Sequence, residues 1–177
     1  MKKKPIYLWI LLVLSALISA SSLFGILGPV PSKEVLRASL SNSGSLTAQQ
    51  IEDTVNYTYQ VTAASHSIFN VVLIVLSTIL VVVAFVFLVR KNVQFANYAY
   101  IGYVLLAIVG LVYSYMNVQD AVQLIKDTTL GLGMGALAQG TNILFIIINV
   151  LFLALVFYKM WRQQKDLAEE AEAEEVA

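Results

Sequence analysis

IFNVVLIVLSTILVVVAFVFLV, residues 68–89, runs for 22 residues without a formal charge. A helix of that length spans about 33 Å at ~1.5 Å per residue, enough to cross a hydrocarbon layer of ~30 Å. Arg90-Lys91 closes the run on one side, and the polar segment ending at His66-Ser67 closes it on the other. Working outward, all 22 formal charges of the chain lie outside four windows, residues 5–32, 54–89, 92–119 and 128–158. Each window holds an apolar run of membrane-crossing length, at about 6–27, 68–89, 98–116 and 143–158.

The composition agrees. Hydrophobic residues make up 59% of the 177 and charged residues 12%, with a mean hydropathy of +0.78. Soluble domains carry about 25% charged residues, so a multi-pass protein of the cell membrane is the class that fits. The expected fold is all-α, an integral membrane four-helix bundle with both termini cytoplasmic. Residues 1–161 form one membrane domain and residues 162–177 an acidic cytoplasmic tail. The chain has no room for a separate soluble catalytic domain.

Orientation follows from the basic residues, because short positively charged loops stay cytoplasmic. Lys2, Lys3, Lys4, Arg90, Lys91, Lys159, Arg162 and Lys165 fall on one side. Only Lys33, Arg37 and Lys126 fall on the other. Aromatic residues at the headgroup level agree, with Tyr7, Trp9, Tyr98, Tyr158 and Trp161 at the inner boundary and Tyr57, Tyr59, Tyr113 and Tyr115 at the outer. The lysines, the apolar stretch and Ser19-Ala20-Ser21-Ser22 also imitate a cleavable signal peptide. Apolar residues continuing through Leu23-Phe24-Gly25-Ile26-Leu27 favour a retained span.

Residues 28–66 form the one sizeable outer segment. Gly28-Pro29-Val30-Pro31 ends the first span, since two prolines remove amide donors. Two helical pieces follow, separated by Ser41-Asn42-Ser43-Gly44-Ser45. Ser32 is placed to cap the first. Thr47-Ala48-Gln49-Gln50 reads as a capping box opening the second, whose inward face is Ile51, Val55, Thr58 and Thr62. That second piece is expected to run unbroken into the second span. Asn56-Tyr57-Thr58 fits a glycosylation sequon, a tripeptide too common by chance to carry weight. Past the third span, Asp120 to Asp127 is expected to continue its helix, and Gly131-Leu132-Gly133-Met134-Gly135 to form a flexible or closely packed hinge. Gly131 and Gly135 also have the small-xxx-small spacing that lets backbones approach.

Within the spans, small and polar residues recur every seven positions or in alternating steps of three and four. They are Ala63, Asn70, Ser77 and Ala84, then Gly135, Asn142 and Asn149, then Ser15, Ser19 and Ser22, and the series Tyr100, Tyr103, Ala107, Gly110, Ser114 and Asn117. A 3.5-residue period keeps one stripe facing inward on supercoiled helices. Asn70, Ser77, Asn117, Asn142 and Asn149 are therefore candidate interhelical or ligand-facing positions, and plain interhelical hydrogen bonding is the expectation. The polar positions crowd the outer half, so the functional alternative is an outward-facing vestibule for a small ligand or for a partner's helix. His66, the only histidine, stands at the outer boundary, where titration between about pH 5 and 8 makes a switch conceivable. A hydrogen-bonded interfacial residue is the simpler expectation.

Several functions lack their chemistry. No cysteine is present, which removes disulfides, thiolate metal sites and cysteine nucleophiles. No acid or base is expected at membrane depth, where proton relays and ion-coupled transporters place them. Neither a metal-ligand cluster nor a nucleophile with a base is visible, so no cofactor and no enzymatic activity are expected. Neither the overall charge nor its distribution points to nucleic acid.

The opening Met1-Lys2-Lys3-Lys4-Pro5-Ile6-Tyr7-Leu8-Trp9, with four spans and a modest first outer loop, resembles small four-span membrane proteins of low-GC Gram-positive bacteria, some labelled permease-like. The resemblance covers the pattern of spans. It implies a membrane component of a transporter as one role. An accessory or scaffold subunit of a membrane complex, associating as a homo- or hetero-oligomer through its bundle faces, is the leading expectation. A sensor or immunity protein binding a small hydrophobic ligand or peptide is the third.

Overall fold

A computed structural model of the chain describes residues 5–42 and 46–175. Lys2, Lys3, Lys4 and the middle of the expected turn, Ser43-Gly44-Ser45, lie outside the described residues, as do the side chains of Glu170, Glu172, Glu174 and Glu175. The described residues form six α-helices and no strand: α1 (Ile6–Leu27), α2 (Lys33–Ser41), α3 (Ala48–Ser65), α4 (Ile68–Val89), α5 (Val93–Val122) and α6 (Thr128–Glu175). Four of them, α1, α4, α5 and α6, are long and apolar enough to cross a membrane.

Twelve of the 22 residues of α4 are Val, Ile or Thr, types that favour strands in water. An apolar solvent reverses that preference, because only a helix or closed barrel satisfies every backbone N–H and C=O without water. The bounds of α1 and α4 coincide with the hydropathy limits. The helices α5 and α6 overrun theirs at both ends.

Each long helix packs along the next, α1 on α4, α4 on α5 and α5 on α6. Directions alternate, since the Tyr7 hydroxyl at the start of α1 donates to Asn97 Oδ1 near the start of α5 at 3.0 Å. Lys159 Nζ, far along α6, lies 5.9 Å from the centre of the Tyr7 ring. One end therefore collects the start of α1, the α4–α5 turn and the latter part of α6. The other carries α2 and α3, with α3 resting on α5.

Around the termini end the core is closed and dry. Leu8, Leu12, Ala84, Tyr100, Val104 and Val156 are fully buried there, drawn from all four long helices. Phe87 stacks on Phe95 at 5.4 Å across the turn. That turn is only residues 90–92. Lys91 has φ 60°, and the Asn92 amide reaches back to Phe87 O at 2.9 Å, a left-handed helix end normally given to glycine. Asn92 then caps α5 by accepting the Phe95 amide.

Three expectations need correction. First, α3 does not run into α4. Ser67 takes an extended backbone and accepts the Asn70 amide at 3.3 Å, restarting the helix, while Asn70 Nδ2 donates to Ser65 O at 2.7 Å across the break. The N-capping hydroxyl and the amide supply the bonds that an unbroken helix would have made internally. Second, α5 stops at Val122, so Asp120 to Asp127 is helical only in its first part. Third, the glycine segment is not a hinge but the first turns of α6. A Cβ on Gly135 would stand 3.1 Å from Val122 Cγ2, and one on Gly131 3.5 Å from Ile125 Cγ2. The glycines let α6 start tight against the end of α5, the close-packing half of the expectation.

Candidate functional site: a cavity beneath α3

Above the dry core the four long helices part and enclose a cavity of about 520 Å³ on the α3 side. The polar stripes converge on it. From α1 come Ser15, Ser19 and Ser22, from α4 Asn70 and Ser77, and from α6 Asn149. Helix α5 contributes the series Tyr103, Ala107, Gly110, Ser114 and Asn117. Val61, Ala64 and Ser65 of α3 line it beside the break. Leucine, isoleucine and phenylalanine fill the spaces between, and no lining residue is charged.

Small residues on α5 create the space. A Cβ on Gly110 would meet nothing within 4 Å. The stripe that was expected to bring backbones together holds them apart here, because α1 and α6 share no extended interface. At ~300–1,000 Å³, small-molecule sites have the size, the apolar lining and the few polar groups seen in this cavity.

Of the candidate positions, Asn70, Ser77, Asn117 and Asn149 line the cavity, and Asn142 and His66 do not. Of the asparagines lining the cavity, only Asn70 bonds to another helix, through Ser65 O of α3. Asn117 Nδ2 donates to Tyr113 O and Asn149 Nδ2 to Phe145 O, both at 2.8 Å on their own helix. Ser77 likewise bonds Ile74 O at 3.0 Å. A donor one turn away on the same helix is always within reach, whereas a partner across the cavity is not. Asn142 is buried on α6 away from the cavity and bonds to no protein group.

Tyrosines make the links between elements instead. Besides Tyr7 to Asn97, Ser15 Oγ reaches Tyr100 Oη at 3.5 Å between α1 and α5, and Tyr113 Oη meets Ser67 Oγ at 3.0 Å. A long side chain bridges a gap that an asparagine cannot.

Two hydroxyls have no protein partner and are open to the cavity, those of Ser19 on α1 and Tyr103 on α5, while the rest of each residue is buried. Buried polar groups are normally paired, by protein, water or ligand. Tyr103 and Ser19 stood in the sequence as stripe residues without a role of their own.

His66 ties the rim together. Its Nε2 lies 2.9 Å from Gly28 O just past α1, and its Nδ1 lies 2.9 Å from Thr62 O on α3. This is the hydrogen-bonded interfacial residue expected, and it straps the end of α1 to the α3–α4 break.

Outside the apolar region sits a second polar centre that the sequence does not announce. Asp53, on α3, is 1% exposed. Its Oδ2 accepts the backbone amides of Lys126 and Asp127, each at 2.9 Å, and its Oδ1 accepts Gln49 Nε2 at 2.7 Å. Asp127 in turn caps α6 through the Leu130 amide at 3.0 Å and accepts Gln50 Nε2 at 3.0 Å. Both carboxyls are held below the usual carboxylate range, Asp53 chiefly by the Asp127 amide and Asp127 chiefly by the Leu130 amide. Gln50 also completes the capping box with Thr47. On the outer side of α3, α2 is capped by Ser32 and pinned by Arg37 to Glu52 at 2.7 Å and by Lys33 to Asn56 at 2.7 Å. Among the described residues no group of three or more His, Asp or Glu is placed to hold a metal ion.

Fold and cavity together define an all-α protein with four helices of membrane-crossing length around an uncharged, polar-striped cavity. The chain matches, over residues 1–169, the family described as Domain of unknown function (DUF8777), and it belongs to that family. No curated protein and no solved structure matches it.

Proposed function

We propose that the chain is a non-catalytic protein of the cell membrane in which α1, α4, α5 and α6 cross the bilayer as a four-helix bundle. Both termini are cytoplasmic, α2 and α3 lie outside, and the cavity, in the outer half of the bundle beneath α3, binds a small, largely apolar molecule. Convergence of polar stripes from all four long helices on one cavity carries the reading. Burial of Leu8 and Leu12 in the common core supports a retained first span rather than a cleaved one. The excess of basic residues at the termini end, Arg90, Lys91, Lys159, Arg162 and Lys165 against Lys33, Arg37 and Lys126 at the α3 end, supports the orientation.

A second reading, an accessory subunit of a membrane complex, is favoured by α6, which shares an extended interface only with α5 and leaves much of its apolar length exposed. Coupling to an ATPase is disfavoured. Such a permease receives force through cytoplasmic docking helices, and three residues, 90–92, are all that join α4 to α5.

The reading is tested by purifying the full chain in mild detergent and analysing organic extracts by mass spectrometry, beside Gly110→Leu. A Cβ at 110 meets nothing within 4 Å, so a leucine there projects into the cavity that Gly110 lines. A small apolar molecule retained by the wild type and absent from the variant is expected. Identical extracts would remove the cavity from the function and leave the subunit reading.

A further inference from the structure

The hydrogen-bond accounting of the cavity restricts what fits it. A backbone carbonyl only accepts, so the bonds from Asn70 to Ser65 O, Asn117 to Tyr113 O and Asn149 to Phe145 O fix each amide with its nitrogen on the helix. One N–H of each amide is used, and the Oδ1 with both its lone pairs has no protein partner. Ser22, Ser65 and Ser77 spend their hydroxyl protons on carbonyls of Ile18, Thr62 and Ile74. What they retain are lone pairs. Against these stand the second N–H of each amide and the hydroxyl protons of Ser19 and Tyr103; counted by lone pairs the lining still offers more acceptors than donors, and it complements a ligand whose polar end donates hydrogen bonds.

Charge narrows the class further. No lining residue is ionisable in the carboxylate, ammonium or imidazole sense, and an unpaired ion at such a site carries a heavy desolvation cost. The polar end is thus neutral. Its position follows from register. Asn70 lies in the first turn of α4, and the Ser67–Tyr113 bond between these antiparallel helices puts Asn70 about one turn inward and Asn117 about one turn outward, beside α3, with Ser114 between them. Apolar surface extends from there toward Phe152 and Tyr103.

The route is lateral. On either side of the α1–α6 gap stand Ile18 and Phe145, both cavity-lining and 54% and 44% exposed. A hydrocarbon chain slides from bilayer to cavity between them without leaving an apolar medium.

Resting on the cavity-binding reading above, we propose that the ligand is a single-chain neutral amphiphile with a hydroxyl- or amide-bearing end. It enters sideways between α1 and α6 and lodges its polar end among Asn70, Ser114 and Asn117.

A diazirine analogue of 1-monooleoylglycerol, photolysed on the full chain in nanodiscs, tests this. Competitors are monooleoylglycerol, methyl oleate, which has the chain but no donor, and oleate, which is anionic. Expected is saturable labelling mapped to α1 and α6, displaced at least tenfold better by monooleoylglycerol than by either other lipid. The label should fall at least tenfold in Gly110→Leu and persist in Gly110→Ala. Ser114→Val, a second cavity substitution, should weaken it if Gly110→Leu proves unstable by its melting curve. Equal displacement by methyl oleate or oleate would overturn the donor-headed class while leaving a binding cavity. Absence of saturable labelling, or labelling unchanged in both cavity variants, would overturn the cavity reading with it.

Discussion

Asp53 Oδ2 accepts the backbone amide of Asp127 at 2.9 Å, across 74 residues of sequence. One buried carboxylate thereby fixes α3 to the turn between α5 and α6, where the next carboxylate caps α6.

Stability should follow these two groups in acid. Both folded-state pKa values lie below the unfolded value of ~3.9. Their contribution is therefore complete above that value and is lost as pH falls through the lower folded values. Melting curves should show a loss beginning at about pH 4 that is reduced in Asp53→Ala. Asp53→Asn should melt between wild type and Asp53→Ala, since its carbonyl still accepts the two amides. An Asp53→Ala protein melting like wild type at pH 7 would refute the clamp.

The glycines of α6 differ in role. Gly135→Leu drives a side chain into Val122, 3.1 Å from the nearest Cβ position, and should cost about 1–3 kcal/mol. Gly133 has open space around it, so Gly133→Leu should be neutral or stabilising by up to ~1 kcal/mol through helix propensity. Denaturant titrations of the two variants in parallel measure the difference.

Lys91 occupies a left-handed conformation that costs a non-glycine residue roughly 1 kcal/mol. Lys91→Gly should stabilise the chain by about 0.5–1 kcal/mol in the same titration. Lys91→Val should destabilise it.

With its proton on Nε2, His66 donates to Gly28 O at 2.9 Å and so ties the end of α1 to the α3–α4 break. Replacing it with phenylalanine keeps the bulk and removes the strap. Hydrogen exchange should then quicken at residues 28–32 and at the α3–α4 break, and remain unchanged around Tyr100 at the opposite end.

Much of the helical plan was legible because it is local. Pro29 and Arg90 end apolar runs by their own chemistry, and Thr47 and Gln50 cap a helix within four residues. Polar stripes were also visible, and four of the five stripe candidates reached the cavity. Their purpose was not legible, because a 3.5-residue period looks the same whether the facing helices touch or stand apart. The break at Ser67 was hidden in a segment whose propensities are helical on both sides. Asp53 was hidden more deeply. It reads as an ordinary exposed acid on a polar helix, and only a turn 73 residues away makes it a buried clamp.

The arrangement of four crossings with the α3 end outside is tested most directly in this cysteine-free chain by two single-cysteine variants, Glu34→Cys on α2 and Gln94→Cys at the start of α5. Intact cells are treated with a membrane-impermeant maleimide, then permeabilised and treated again. Expected is labelling of Cys at 34 in intact cells and of Cys at 94 only after permeabilisation. Labelling at 94 in intact cells, or protection at 34, would contradict the arrangement and with it the placement of the cavity in the outer half of the bundle.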